Sequence, residues 1–140
     1  VKIHRLSPLL LAATLLSCSE APTQVRVEVA VFRVSAAHGE EFTIQVKDRE
    51  TIRRAREALA GRLNAHPSGP ILPGDGGVNA PWSWHFDPDR VRMSELDMEV
   101  CDGAPSYVEA NRDEYLHLGY CPWGARVVTE RTPALAIPPN

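Results

Sequence analysis

The chain has 140 residues, a mean hydropathy of −0.22, and 15 Lys and Arg against 18 Asp and Glu, for a formal net charge of −3. That length suits one domain with a modest core and not two. A mild acidic balance argues against nucleic acid as a partner, because such a binder needs a basic face.

The opening "VKIHRLSPLLLAATLLSCSE" sets Lys2 and Arg5 before an apolar run from Leu6 to Leu16. A run this short reads as the core of a signal peptide, since a spanning helix needs ~20 apolar residues. Leu15-Leu16-Ser17-Cys18 resembles the lipobox of bacterial lipoproteins. The expected division is a signal peptide over 1–17, a lipidated tether over 18–24 acylated at Cys18, a domain over 25–131 and a disordered tail over 132–140. The alternative is an ordinary signal peptide cut later, with Cys18 discarded. Ser19 after the cysteine resembles the signal for outer-membrane sorting, so the expected address is exported and anchored in the envelope membrane by lipid. Without Lys2 and Arg5, thirteen basic residues face eighteen acidic ones.

"VRVEVAVFRV" (25–34) is β-branched and alternating, and "EEFTIQVKD" sets Phe42, Ile44 and Val46 on one face. His38-Gly39 between them supplies a turn, so the two runs are predicted hairpin partners. Asp48 stands at an N-cap position before a predicted helix over 49–62, with Ile52, Ala55, Leu59 and Leu63 at helical spacing and Gly61 near its end. Its outer face carries five arginines, with Glu50 and Arg54 in favourable i,i+4 order.

Residues 64–81 are dense in glycine and proline and predict a long surface loop with a short strand at Ile71-Leu72. In "NAPWSWHFDPDRV" (79–91) an extended backbone puts Trp82, Trp84 and Phe86 on one face and Ser83, His85 and Asp87 on the other. "VRMSELDMEV" (91–100) switches apolar parity, so a bulge near Ser94 or Glu95 is expected to keep Leu96, Met98 and Val100 inside. Glu95, Asp97 and Glu99 would then form a ladder of carboxylates. Asp102, Pro105 and "SYVEANRDEYLH" predict a capped second helix burying Tyr107, Val108 and Tyr115. A last strand is expected over Arg126 to Thr129. This order predicts an α+β fold: one small domain, a mostly antiparallel sheet of about five strands, two helices and one disulfide.

The disulfide follows from compartment. Setting Cys18 aside leaves Cys101 and Cys121, which an oxidising environment would pair; the alternative is two thiolate ligands for a metal, unaccompanied by any CxxC. His85 beside Asp87 and Asp89 offers a general base or ligand, against a plain strand histidine bonded to Ser83 or to the Asp-Pro turn. His66, in the loop, is a further candidate contact. The acidic stretch 87–114 holds nine acids and three bases, and Glu95, Asp97 and Glu99 are candidate calcium ligands, although the EF-hand order is missing. Trp82, Trp84 and Trp123 offer a sugar or peptide platform, but the alternation assigns the first two to the core.

"FTIQVKD", "HPSG", "NAPWSWHFDP", "EVCD" with "YVE", and "CPWGAR" together resemble a family of small secreted bacterial domains labelled calmodulin-binding-protein-like, after the N-terminal domain of a eukaryotic protein. The resemblance covers 40–128. It implies a Cys101–Cys121 pair and no particular reaction. Calmodulin itself is not an expected partner, because a target helix is basic with bulky anchors and helix 49–62 offers Ile52 and Leu59 among alanines. GxSxG, HExxH and Cys-His signatures are missing. The favoured reading is a non-enzymatic envelope binding module for a protein, peptide or glycan, with contacts from the 64–81 loop and from Ser83, His85 and Asp87. The alternatives are a small hydrolase using His85 and Asp87, or a protease-inhibitor-like domain with the Pro-Gly loop inserted.

Overall fold

A computed structural model describes residues 28–131, and Cys18 with the expected signal peptide, tether and tail lies outside that range. Three antiparallel sheets and three helices are built from β1 (Ala30–Ser35), β2 (Glu41–Val46), α1 (Arg49–Leu59), β3 (His66–Ser68), β4 (Ile71–Pro73), β5 (Trp84–Phe86), β6 (Arg92–Ser94), α2 (Pro105–Ala110), α3 (Arg112–Leu118) and β7 (Arg126–Arg131). The α+β class, the antiparallel pairing and the single disulfide are as expected. Seven strands replace the expected five, however, and they are divided among sheets β2-β1-β7, β3-β6 and β4-β5.

The β1-β2 hairpin keeps an unbroken register from Ala30 opposite Val46 to Ser35 opposite Glu41. Its turn passes through His38 and Gly39, both at positive φ (61° and 73°), as a histidine-glycine pair permits. Phe32, Val34, Phe42, Ile44 and Val46 are buried, and α1 lays Ile52 and Ala55 against this layer. Asp48 caps α1 by accepting from the Thr51 amide at 2.9 Å and the Thr51 hydroxyl at 2.7 Å. The helix stops at Leu59, three residues before the predicted end, and the chain turns through Gly61 at φ 71°. Glu50 pairs with Arg53 rather than Arg54, which instead reaches the Met93 carbonyl and the Glu95 carboxylate.

Two local expectations are corrected. The segment after β6 is no bulged strand: Leu96, Met98 and Val100 are 89%, 71% and 61% exposed, and a 3-10 turn covers Glu99–Cys101. With β6 ending at Ser94, no ladder orders Glu95, Asp97 and Glu99 on one face. The second helix is broken at Asn111 into α2 and α3, which bury Val108 and Tyr115 and leave Tyr107 exposed. Asp102 is not its cap, since Asp102 accepts from the Trp123 amide at 2.8 Å. The start of α2 is capped from across the chain by Glu40, whose carboxylate accepts from the Ser106 amide and hydroxyl, each at 2.7 Å.

The predicted long loop carries two short paired strands in its first half and runs through turns and bends over 74–81. Within it β3 pairs with β6, placing His66 opposite Ser94, and β4 pairs with β5, placing Leu72 opposite His85. Asn79, fully buried, bridges them to β2: its amide donates to the Trp84 carbonyl at 2.8 Å and its oxygen accepts from the Thr43 amide at 2.7 Å.

Candidate functional site

The alternation in 82–87 holds. Trp84 and Phe86 are buried in an aromatic cluster with Phe42 and Tyr120, while Ser83, His85 and Asp87 face the other way and are half-buried. Trp82 departs from its expected place in the core: it is half-buried at the edge, stacked on Trp84, with its indole N–H donating to the Glu41 carbonyl at 2.8 Å. The polar face does not form one constellation. Ser83 donates its amide (2.9 Å) and its hydroxyl (2.6 Å) to Glu109, and its hydroxyl accepts from Arg112 at 2.7 Å. Those bonds hold the Glu109 carboxyl below the usual carboxylate range, the Ser83 hydroxyl first and its amide second.

His85 is not bonded to Ser83 or to the Asp-Pro turn. Its Nδ1 lies 2.7 Å from the Gly74 carbonyl, and its ring lies against Gly76, where an added Cβ would sit 2.5 Å from the ring. Asp87 accepts from the Asp89 amide at 3.0 Å, which forms a turn and orients no imidazole. His85 and Asp87 thus make separate local contacts.

The side chains that do converge lie around the disulfide. Cys101 and Cys121 are bonded, with Cα atoms 5.1 Å apart, and both are buried. His66 Nε2 meets Asp97 Oδ2 at 3.0 Å. A carboxylate oxygen of Asp97 and the two sulfurs all lie within 4.8 Å of one another. A pocket of about 190 Å³ opens beside the pair, lined by Asn64, His66, Glu95, Leu96, Asp97 and Trp123. Asp97 also lines a second cleft of about 400 Å³ with Cys101, Met98 and Leu118 on its wall.

Local structure explains this convergence. Pairing of β3 with β6 brings His66 next to the chain leaving β6, and the irregular path after Ser94 turns Asp97 inward while exposing its apolar neighbours. The Cys121 amide donates to the Cys101 carbonyl at 2.8 Å, so backbone as well as sulfur joins the two segments. Trp123, 42% exposed, stands at the pocket mouth on the turn held by Asp102. Of the calcium candidates, Glu95 is drawn to Arg54, Asp97 to His66, and Glu99 opens the 3-10 turn. Above the cluster, the Tyr120 phenol is pushed up by burial and donates to the Gly103 carbonyl at 2.9 Å.

Residues 28–134 match the family model described as the BP-74 N-terminal domain. This chain belongs to the BP-74 N-terminal domain family. No curated protein and no solved structure matches it. The BP-74 N-terminal domain match spans every element described above, so the pocket beside the disulfide lies within the family's own domain and not on an addition to it. The description names a domain and neither a reaction nor a ligand. Sequence reasoning missed Asn79, Glu109, Arg112 and Glu40 as organising residues, and carried no signal for them, since each acts on a partner between 26 and 66 positions away.

Proposed function

We propose that this BP-74 N-terminal domain is a non-enzymatic binding module of the cell envelope, lipid-anchored through Cys18, which takes a peptide or glycan at the pocket between His66, Asp97, Leu96 and Trp123. The observation that carries this reading is the pocket itself. An exposed indole and an exposed leucine flank a histidine-carboxylate pair, an apolar wall beside oriented polar groups, which is how small ligand sites are built. The hydrolase alternative has less support, because His85 is engaged by the Gly74 carbonyl and not by Asp87, and Ser83 is held by Glu109 and Arg112. The inhibitor alternative has less support, because 64–81 is tied down at β3 and β4, by buried Asn79 to Thr43 and Trp84, and by His85 at the Gly74 carbonyl.

Calmodulin is no partner in this reading. The apolar residues of α1 face the core, and three of its four arginines are engaged: Arg53 by Glu50 and Glu57, Arg54 by Glu95, and Arg56 by Glu28 and Glu130. Capture from envelope extract by immobilised protein tests the site. Trp123→Ala and His66→Ala should each reduce capture, and His85→Ala should not; equal capture by all four proteins would remove the pocket from the function. Fatty-acid labelling tests the anchor, with wild type tagged and Cys18→Ala blank.

A further inference from the structure

The side chains around the disulfide fit a second occupant. In a tetrahedral zinc site the metal lies about 2.3 Å from thiolate sulfur and about 2.0–2.2 Å from carboxylate oxygen, so neighbouring donors stand roughly 3.3–3.8 Å apart. Cys101 Sγ, Cys121 Sγ and an Asp97 oxygen already lie within 4.8 Å of one another, and opening the sulfur bond lets two of them move apart to that spacing. Asp97 is held by His66 at 3.0 Å, an outer partner of the kind that orients a metal-ligating carboxylate. The Met98 carbonyl faces the same point, 3.1 Å from Cys101 Sγ and 3.3 Å from Cys121 Sγ. Asp97 lines the open clefts on both sides of the cluster, so an ion has a way in.

We propose that the reduced protein binds one zinc ion through Cys101, Cys121 and Asp97, with His66 as positioning residue, so that disulfide and metal are alternative states of one site. A small thiol reductant donates two electrons and two protons to the Cys101–Cys121 bond and leaves as its own disulfide. Zinc then binds the two sulfurs as thiolates and releases their two protons. In the reverse direction an external disulfide accepts two electrons from the thiolates and two protons from solvent and departs as two thiols, while the Cys101–Cys121 bond forms and zinc leaves. Two thiolates select a borderline metal over calcium, which takes six to eight oxygens. The inference needs only these four side chains and is independent of ligand capture in the pocket, which is assayed on oxidised protein.

The test uses the full chain carrying Cys18→Ala, reduced with a phosphine and desalted under argon. Cobalt(II) should give one equivalent of thiolate-to-metal charge transfer with the intense visible bands of a tetrahedral site, and zinc should displace it. The oxidised protein should show neither. Asp97→Ala should weaken cobalt binding at least about tenfold, Asp97→Asn should weaken it while keeping the side-chain shape, and His66→Ala should weaken it by about tenfold. Zinc should also raise the Tm of reduced protein and slow its reoxidation by glutathione disulfide. Lack of charge transfer in reduced protein, equal binding by the oxidised form, or wild-type affinity in either Asp97 variant, each shown by its oxidised form to melt cooperatively, would overturn the proposal.

Discussion

Ser83 gives both of its polar hydrogens to Glu109, the amide at 2.9 Å and the hydroxyl at 2.6 Å, and so ties the start of β5 to α2 across 26 positions. The hydroxyl also accepts from Arg112 at 2.7 Å, which brings α3 into the same brace. A residue whose alternation suggested a ligand contact is therefore a structural junction. Ser83→Ala should leave Arg112 Nη1 without this acceptor and Glu109 with one donor fewer, at a cost of about 1–2 kcal/mol for a half-buried charge-assisted pair. Urea unfolding should show a lower midpoint with an unchanged slope. A midpoint equal to wild type would show that solvent replaces the brace at no cost.

Acid should weaken the fold through three carboxylates. Glu40, Asp48 and Glu109 are each held below their ordinary values of 4.5, 3.8 and 4.5, first by a serine or threonine hydroxyl and then by that residue's amide. The folded values lie below the unfolded ones, so the unfolded chain binds more protons between them. Their contribution is complete above about pH 5 and is lost as pH falls through the folded values. Thermal melts at stepped pH should show a plateau giving way to a fall below the ordinary carboxylate range. Glu40→Gln should lower the plateau and flatten the fall; a profile parallel to wild type would mean that Glu40 titrates alike in both states.

Legibility in the sequence followed the range of the interactions. The β1-β2 hairpin, the Asp48 cap and the Trp84/Phe86 face were readable because alternation, a turn pair and an N-cap act within a few residues. Cys101 and Cys121 were readable as a pair from their chemistry. The run after Ser94 misled, because Leu96, Met98 and Val100 carry strand-like parity yet are exposed, and that path is fixed instead by side-chain bonds, Ser94 to the Leu96 carbonyl, Arg54 to Glu95 and His66 to Asp97, and by the disulfide at Cys101. The site was half legible. His66, Asp97 and Trp123 each stood out as a candidate for a different reason, but nothing short of the β3-β6 pairing places them at one pocket.

Gly76 and His85 should be energetically coupled. Gly76 has φ +60°, where an L-residue costs about 1–2 kcal/mol, and its Cβ would also meet the His85 ring at 2.5 Å. Gly76→Ala should therefore destabilise by about 2 kcal/mol or more in wild type. His85→Ala alone should be nearly neutral, because the Gly74 carbonyl it releases is on the exposed side of the loop. In the double variant the clash is gone and only the backbone cost of about 1–2 kcal/mol remains. A strictly additive cycle would mean that the ring does not rest on Gly76.

Trp84 is the residue on which the sheets meet. It is 0% exposed, and its ring centre lies 5.7 Å from Phe42, 6.3 Å from Phe86 and 5.3 Å from Tyr120, which joins β2, β5 and the segment before β7 in one cluster. Its backbone carbonyl accepts from buried Asn79, so the strand is fixed on the side the ring does not hold. Removing so large a ring from a packed interior costs ~3–5 kcal/mol, a large share of the ~5–15 kcal/mol a domain holds in reserve, and Trp84→Ala should unfold at a much lower denaturant concentration than wild type. Trp84→Phe should fare much better. It keeps an aromatic partner for Tyr120 and discards an indole N–H that is buried without a hydrogen-bond partner among the described residues, so the lost desolvation penalty offsets part of the lost volume. Denaturant titration of the two variants should separate them by about 2 kcal/mol or more. If the two are equally destabilised, the shape of the indole and not the burial of an aromatic ring holds this junction together.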